Sequence, residues 1–411
     1  MKSRHKVLAV LAFSWIVSYI DRIAMAIAIP YIATDFHLSP VEMGAVMSTF
    51  FIGMAVAQIP GGLLADRFGS RKVATFAITW WSALTFATGL AVSLPQMLMI
   101  RFAFGIGEGL LPGCSFKTIA AWFPRHERAG ANAIKMAAMP LGSALGLLIV
   151  GTAISEWGWR AVYHLLFVPG IISAIIFWRV VRDKPSDSNR VDPAEILEIE
   201  GDDASEQDVK DYKNIFHLIT RYNIWKYVLI YFAFELAEWG FSTWLPTYLL
   251  KSRGFSAAEL GAVASLPRFA GIAGMLFGGW IASRYFQQSK RLLIVATQLS
   301  AVLAIFLTAT AESGMVLLVA QTMAGFCLNA FFSSFWAEPM TSIPKSVIGV
   351  AGSFITTAGQ VAAVISPVIF GFLVGIGDGS FMLAFSFLLV ALLVSCALVF
   401  TLPGKKARKA A

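Results

Sequence analysis

Apolar runs of about twenty residues, separated by short polar segments, recur along the whole chain, and a helix of that length crosses a lipid bilayer. The runs fall into six, a polar gap and six. The first six span residues 8–30, 42–64, 73–94, 97–121, 130–154 and 161–181; the second six span 226–250, 258–283, 291–311, 314–337, 346–374 and 380–402. The pattern predicts an all-α membrane protein with 12 transmembrane helices in two six-helix halves.

The polar gap is rich in Asp and Glu and poor in apolar residues. We expect an N-terminal bundle over 1–181, a solvated cytoplasmic linker over 182–225 that includes a short helix, a C-terminal bundle over 226–403 and a basic tail over 404–411. The first apolar run continues to about Ile29 without a cleavage site of small residues, so it is interpreted as a span and not as a signal peptide.

Composition supports a lipid environment, since 57% of the residues are hydrophobic and 14% are charged. A soluble protein carries charge at about a quarter of its positions. The net charge is +8, and the basic residues that produce it lie between the apolar runs, where they set the orientation of the protein in the membrane. No nucleic-acid partner is therefore expected. Cys114, Cys327 and Cys396 lie inside apolar runs without ligand spacing, and we expect neither a metal site nor a cofactor.

Lys and Arg concentrate in alternate loops, such as 67–72, 125–128 and 284–291, and at both termini. The positive-inside rule places these loops and both termini in the cytoplasm. Arg160, Lys251 and Arg253 are exceptions on the opposite side.

An internal repeat relates the two halves, because Gly61–Arg67 after the second run has a counterpart in Gly278–Arg284 after the eighth. Parallel repeats of this size predict a substrate site between the halves near the bilayer midplane, and transport by alternating access.

Residues 62–72, Gly-Leu-Leu-Ala-Asp-Arg-Phe-Gly-Ser-Arg-Lys, resemble the signature loop of the major facilitator superfamily, and the resemblance extends over the whole chain. Glycine permits close helix approach, and an acid here can cap a helix or pair with a basic residue. We therefore interpret the loop as a conformational latch; the alternative is a simple positive-inside loop. The latch residues are Gly62, Asp66, Arg67, Gly69 and Arg71. The second copy lacks the acid.

Three further motifs are similar to the anion:cation symporter family, which includes galactonate- and glucarate-type and sialin-like carriers. They are Tyr19–Arg22, Arg101–Glu108 and Trp122–Ala129. Members of that family import organic anions with protons. The resemblance therefore implies proton-coupled uptake of a carboxylate. Separately, the sequence has no His or Cys metal cluster and no large polar domain, so we expect no enzymatic activity.

Ionisable side chains within spans are costly and usually functional. Arg22 is the first candidate for an anion clamp, because a guanidinium binds a carboxylate through two parallel hydrogen bonds and stays charged. The family resemblance implies the same role. The alternative is a permanent salt bridge between Arg22 and an acid.

Glu108 is the best candidate for a proton carrier, because burial at bilayer depth disfavours the charged carboxylate. Asp21 is the second candidate. Arg101 lies about two turns before Glu108 on the same helix face, where it either tunes that carboxyl group or clamps helices together.

The remaining substrate-binding candidates are cations and ring or amide side chains in both halves: Tyr19, Lys117, Lys135, Arg268, Trp239 and Gln360. Several cations in one cavity favour a di- or polycarboxylate over a neutral sugar. The alternative for Lys117 and Lys135 is that they extend towards the cytoplasm.

Three functions stay open: a proton-coupled importer of organic anions, an exporter of a drug or metabolite, and a membrane sensor without transport. The chain lacks the phosphate-binding motif G-x-x-x-x-G-K-[ST], so an ion gradient must supply the energy. Protons are expected, with sodium as the alternative. The expected form is a monomer in the bacterial cytoplasmic (inner) membrane.

Overall fold

The computed structural model describes residues 2–188, 191–201, 220, 222–286, 290–343 and 345–402. The expected basic tail over 404–411 and the linker residues 202–219 and 221 lie outside the described residues. All regular structure within the described ranges is helical.

The helices are α1 (Ser3–Phe36), α2 (Pro40–Phe68), α3 (Ser70–Leu90), α4 (Leu94–Trp122), α5 (Arg125–Val180), α6 (Pro193–Gly201), α7 (Ile224–Arg253), α8 (Ala257–Arg284), α9 (Lys290–Thr310), α10 (Gly314–Ser342), α11 (Lys345–Ile376) and α12 (Met382–Val399). A 3₁₀ turn over Pro185–Asp187 precedes α6.

Ten helices of the described chain are long and apolar enough to cross a membrane. One of them, the 51-residue stretch Gly130–Val180 within α5, has the length of two crossings and bends at Gly158, where φ is 76°. Helix α7 has 30 residues but also holds Glu235 and Glu238, which lower its hydropathy. With α5 counted as two spans and α7 included, the predicted architecture of twelve crossings is confirmed.

The chain divides into two compact units, Met1–Gln207 with Leu249–Ser265, and Asp208–Tyr248 with Leu266–Ala411. In the first unit α2 packs against α4, while α1 and α3 pack against α5. In the second unit α9 packs against α10 and α12. The domain borders expected from the sequence stay a prediction.

Glycines allow direct backbone contact between paired helices in both units. A methyl group added at Gly53 of α2 would collide with the Phe102 carbonyl oxygen of α4. In the second unit, a methyl group at Gly274 of α8 would collide with the Phe326 carbonyl oxygen of α10. The pair α2 and α4 and the equivalent pair α8 and α10 pack in the same close manner, so the internal repeat seen in the sequence is also present in the structure.

Helix α6 is docked on the amino end of α1, a contact that the expectation of a solvated linker did not include. The Glu195 carboxylate accepts hydrogen bonds of 3.0 Å from the backbone N–H groups of Ser3 and Arg4. Glu198 accepts from Lys2 Nζ at 2.7 Å and from Arg4 Nη2 at 2.9 Å. Because a helix amino end has unpaired N–H groups and a partial positive charge, the Glu195 carboxylate caps it, while Glu198 pairs with the basic side chains beside it.

Arg4 joins α6 to the start of α5 as well, because its Nη2 also donates to Glu127 Oε1 at 2.8 Å. The residue is only 1% exposed. Three segments that are distant in sequence therefore meet at one buried guanidinium.

The pH dependence of this docking follows from Glu198. Side-chain hydrogen bonds from Arg4 and Lys2 lower the pKa of Glu198 from 4.5 to about 2. A lowered folded-state pKa means that the stabilisation is complete above about 4.5 and is lost as the pH falls towards about 2. We expect α6 to stay docked from neutral pH down to about 4.5.

A spin label on Leu197→Cys measures this docking, since Leu197 is exposed and Cys114, Cys327 and Cys396 are buried. The label should gain mobility only in strong acid in the wild type, and already at neutral pH when Glu195→Ala is added. Mobility that rises in mild acid, or that ignores Glu195→Ala, would contradict the capping role.

Arg160 is one of the exceptions to the positive-inside pattern, and the structure pairs it with an acid. Its Nη1 donates to Asp35 Oδ2 at 2.7 Å, and Trp159 Nε1 donates to the same oxygen at 2.9 Å. The pairing neutralises the charge that departed from the pattern.

Candidate functional site

Arg22 and Glu108 form a buried ion pair between α1 and α4. Arg22 donates from Nε at 3.0 Å and from Nη2 at 2.6 Å, both to Oε2 of Glu108. The hydroxyl of Ser18 donates to Oε1 at 2.9 Å. The side chain of Arg22 is 12% exposed and that of Glu108 is 1% exposed. The predicted clamp and the predicted proton carrier therefore bind each other.

Aromatic rings hold the Arg22 guanidinium in place. Its central carbon lies 4.3 Å from the centre of the Tyr19 ring and 5.0 Å from that of Phe50. Cation–π contact of this kind favours arginine and restricts its rotation. The predicted substrate residue Tyr19 thus contacts the predicted clamp.

Asp21 and Arg101 complete a four-residue cluster with that pair. Asp21 is 2% exposed, interacts electrostatically with Glu108 and Arg101, and has a buried Oδ2 without a hydrogen-bond partner. Arg101 lies about 5 Å from the ring centres of Phe50 and Phe104. Two acids and two bases balance, so the cluster is neutral when all four are charged.

The Lys135 side chain lies against the side of α1 that carries Tyr19 and Arg22, and the residue is only 1% exposed. Its Nζ lies 4.9 Å from the Trp15 ring and 4.3 Å from the Phe116 ring. The rings of Trp15 and Tyr19 are 6.1 Å apart. Since Trp15, Tyr19 and Arg22 share one helix face, aromatic rings connect Lys135 to the ion pair.

Lys117 lies elsewhere. Its Nζ donates to the Ala65 carbonyl at 2.7 Å and lies 3.1 Å from Asp66 Oδ1. Nine residues beyond Glu108 place it about 13 Å further along α4. The structure therefore brings Lys117 to the signature loop, and its role in substrate binding stays a prediction.

The signature loop is also attached to the end of α5. Asp183 Oδ1 accepts a hydrogen bond of 2.9 Å from the Arg71 backbone N–H and caps α3. Arg71 donates to the Trp178 carbonyl at 2.8 Å and stacks 3.8 Å from its ring. Gly69 has φ of 88°, and a methyl group there would collide with Asp183. Sequence analysis missed Asp183, because nothing local distinguishes it from other linker acids.

Only some of the predicted latch residues make contacts that attach the signature loop to other helices. Asp66 pairs with Lys117 and Arg71 pairs with α5, whereas Gly62 has open space around its hydrogen and Arg67 lies 5.3 Å from the Phe68 ring. The role of these residues as a latch stays a prediction.

The second unit holds a separate polar cluster on α7. Arg268 Nη1 lies 3.3 Å from Glu238 Oε1, to which Ser242 also donates at 2.8 Å. Tyr231 and Trp239 hydrogen-bond Glu235. Arg268 and Trp239, both predicted substrate residues, therefore contact two acids for which sequence analysis gave no role. Gln360, also predicted, has a buried Oε1 without a partner.

Neither cluster is arranged as a metal centre. Among the described residues, no three His, Cys, Asp or Glu side chains come together in a way that could hold a metal ion. The chemistry of both clusters is that of ion pairs and exchangeable protons.

Comparison with known proteins agrees with this fold and this chemistry. The sequence model of the Major Facilitator Superfamily matches residues 11–367. The chain belongs to the major facilitator superfamily. Its role is therefore that of a membrane transporter and not of an enzyme.

Two relatives within the superfamily match nearly the whole chain. The hexuronate transporter of Bacillus subtilis is 28% identical, over 99% of this chain and 97% of its own. The probable sulfoacetate transporter SauU of Cupriavidus necator is 30% identical, over 96% of this chain and 94% of its own. Both are named for organic anions, which confirms the resemblance predicted from the three motifs.

A solved structure shows the superfamily fold directly. A bacterial homologue of the human lysosomal transporter Spinster superposes with a TM-score of 0.82, over 97% of this chain and 96% of that one. The sequence identity is 18%, so this similarity supports the fold alone.

Proposed function

We propose that this transporter imports an organic anion together with protons by alternating access, with Arg22 as the anion clamp and Glu108 as a proton carrier. The observation that carries the proposal is the bond between these two residues. Because Arg22 gives Nε and Nη2 to a single carboxylate oxygen, an ionised Glu108 occupies the donors that a substrate carboxylate needs.

Competition for these donors couples the two ligands. A proton on Glu108 removes the negative charge that holds Arg22, and the guanidinium is then available to the substrate. An anion on Arg22 in turn leaves Glu108 buried without its counter-ion, which favours protonation. Each ligand therefore strengthens binding of the other, and this reciprocity is the thermodynamic basis of symport.

The chemistry around the pair supports an anion with more than one charged group. Lys135 adds a buried cation along the same aromatic-lined side of α1, and Asp21 and Arg101 balance one another. Of the two relatives, the sulfoacetate transporter agrees with this, since sulfoacetate carries two acid groups, whereas hexuronate carries one. We place the protein as a monomer in the bacterial cytoplasmic membrane, with both termini in the cytoplasm and with protons as the coupling ion.

The test is uptake of a panel of mono-, di- and tricarboxylates, hexuronates and sulfonates into proteoliposomes, with and without an inward proton gradient. We expect accumulation of at least one anion that depends on the gradient and persists when sodium is replaced by potassium. A gradient of one pH unit supports roughly tenfold accumulation per proton carried. Absence of movement for every anion, or accumulation driven by sodium alone, would contradict the proposal.

A further inference from the structure

The polar cluster on α7 is not balanced in charge, unlike the cluster around Arg22. Glu235 and Glu238 lie about one turn apart on one face of α7, and Arg268 pairs with Glu238 at 3.3 Å. One base thus serves two acids. With all three groups charged, the cluster has a net charge of −1 at membrane depth, where an uncompensated charge is costly.

Glu235 is the acid without a counter-ion. It is 6% exposed, and no salt bridge to it occurs among the described residues. Its hydrogen-bond partners are the hydroxyl of Tyr231 and the indole of Trp239, both of which are neutral. Trp336 hydrogen-bonds Tyr231 in turn, and since an indole N–H only donates, the Tyr231 hydroxyl is left to donate to Glu235.

The contacts that the described residues of α10 and α11 make with this face add no charge. A methyl group at Gly359 of α11 would lie 2.7 Å from the Tyr231 ring and 3.3 Å from Cγ of Glu235, so α11 meets this face with a bare glycine. Helix α10 contributes the ring of Trp336 at 5.7 Å from that of Tyr231. The charged group acting on Glu235 is Glu238, whose like charge opposes ionisation.

We propose that Glu235 carries a proton at neutral pH and is a second proton-binding site of the transporter, in addition to Glu108. The proton makes the α7 cluster electrically neutral. The side chain of Glu238 is 20% exposed and that of Arg268 is 21% exposed, so the cluster beside Glu235 is not fully enclosed by protein. We do not expect this site to bind a sodium ion, because sodium is coordinated by several oxygen atoms and the indole of Trp239 offers only an N–H hydrogen-bond donor.

The proton itself is measured by infrared spectroscopy of the purified transporter at neutral pH, which requires no substrate. A protonated carboxyl group has a carbonyl stretching band that a carboxylate lacks. We expect this band in the wild type and in the control variant Glu312→Gln, which makes the same chemical change at an exposed position, and its loss in Glu235→Gln. Tyr231→Phe should move the band to higher frequency, because the carbonyl loses a hydrogen bond, and sodium chloride should leave it unchanged relative to potassium chloride.

A Glu235→Gln spectrum identical to that of the wild type would overturn the inference, as would a band that disappears on addition of sodium. Elution of each variant as a single species in size exclusion shows that it is folded. The inference deepens the proposed function, since a second proton site predicts that Glu235→Gln carries one proton fewer per anion than the wild type. For any anion that the uptake panel moves, a pH-sensitive dye inside the liposomes measures acidification. Comparison with anion uptake gives the number of protons carried per anion.

The two proposals fail separately. An uptake panel without transport would overturn the proposed function and leave the infrared assignment of Glu235 intact. Loss of the infrared difference would overturn the second proton site and leave transport through Arg22 and Glu108 intact.

Discussion

Glu108→Gln should lower uphill accumulation by the share that the Glu108 proton supplies, while exchange of internal for external anion continues. Gln has the volume of Glu and imitates its protonated form, so Arg22 is permanently released from the bonds of 3.0 and 2.6 Å that now hold it. Anion binding therefore survives. The variant has no group at this position that binds and releases a proton, so the gradient can no longer drive net uptake through it. In a gradient of one pH unit, accumulation should fall by roughly tenfold, which is the share that one proton supplies.

The measurement compares accumulation and counterflow in the same liposome preparation. Exposed Glu312 supplies a control, since Glu312→Gln makes the same chemical change outside the spans and should accumulate anion like the wild type. Accumulation by Glu108→Gln at the wild-type level would remove Glu108 from the coupling mechanism.

Arg22→Ala should lose binding and transport together. Removal of one partner from a buried, hydrogen-bonded charge pair costs about 3 kcal/mol, which corresponds to more than a hundredfold loss of affinity. Arg22→Lys should rescue only part of this loss, because an ammonium group cannot present two parallel N–H donors to a carboxylate. Titration calorimetry with the anion identified by the uptake panel measures both effects.

The exposed Arg179 provides a matched control, because Arg179→Ala removes the same side chain at a surface position. Since Arg22→Ala leaves Glu108 buried and unpaired, the double variant Arg22→Ala with Glu108→Gln should regain thermal stability without regaining anion binding. Unchanged affinity in Arg22→Ala would show that the ion pair is structural and that the clamp lies elsewhere.

Local sequence determined most of the fold. Runs of twenty apolar residues have one physical solution in a bilayer, so the twelve crossings could be placed within a few residues of their helices. Even the break within α5 was visible, since the sequence gap of 155–160 contains Gly158, where the chain turns. The docking of α6 was not visible, because its acids find Lys2, Ser3 and Arg4 only after folding.

The site was predictable as a set of residues and not as a set of contacts. The sequence alone identified Asp21, Arg22, Arg101 and Glu108, because an ionisable group in an apolar run is energetically costly and usually functional. Their pairing could not be identified in this way, since it depends on how α1 packs against α4. Lys117 shows the same limit: its charge was noted, but the carbonyl of Ala65 and the carboxylate of Asp66 decide where it points.

The cap on α1 has a consequence for biosynthesis. Glu195 caps a helix whose first amide, that of Ser3, lies 192 residues earlier in the chain. Helix α1 therefore keeps uncapped amide groups at its amino end while α2 to α5 are synthesised. Only when residues 193–201 emerge can that end be closed. Docking of α6 thus becomes possible once α1 to α5 are synthesised, before α7 to α12 exist.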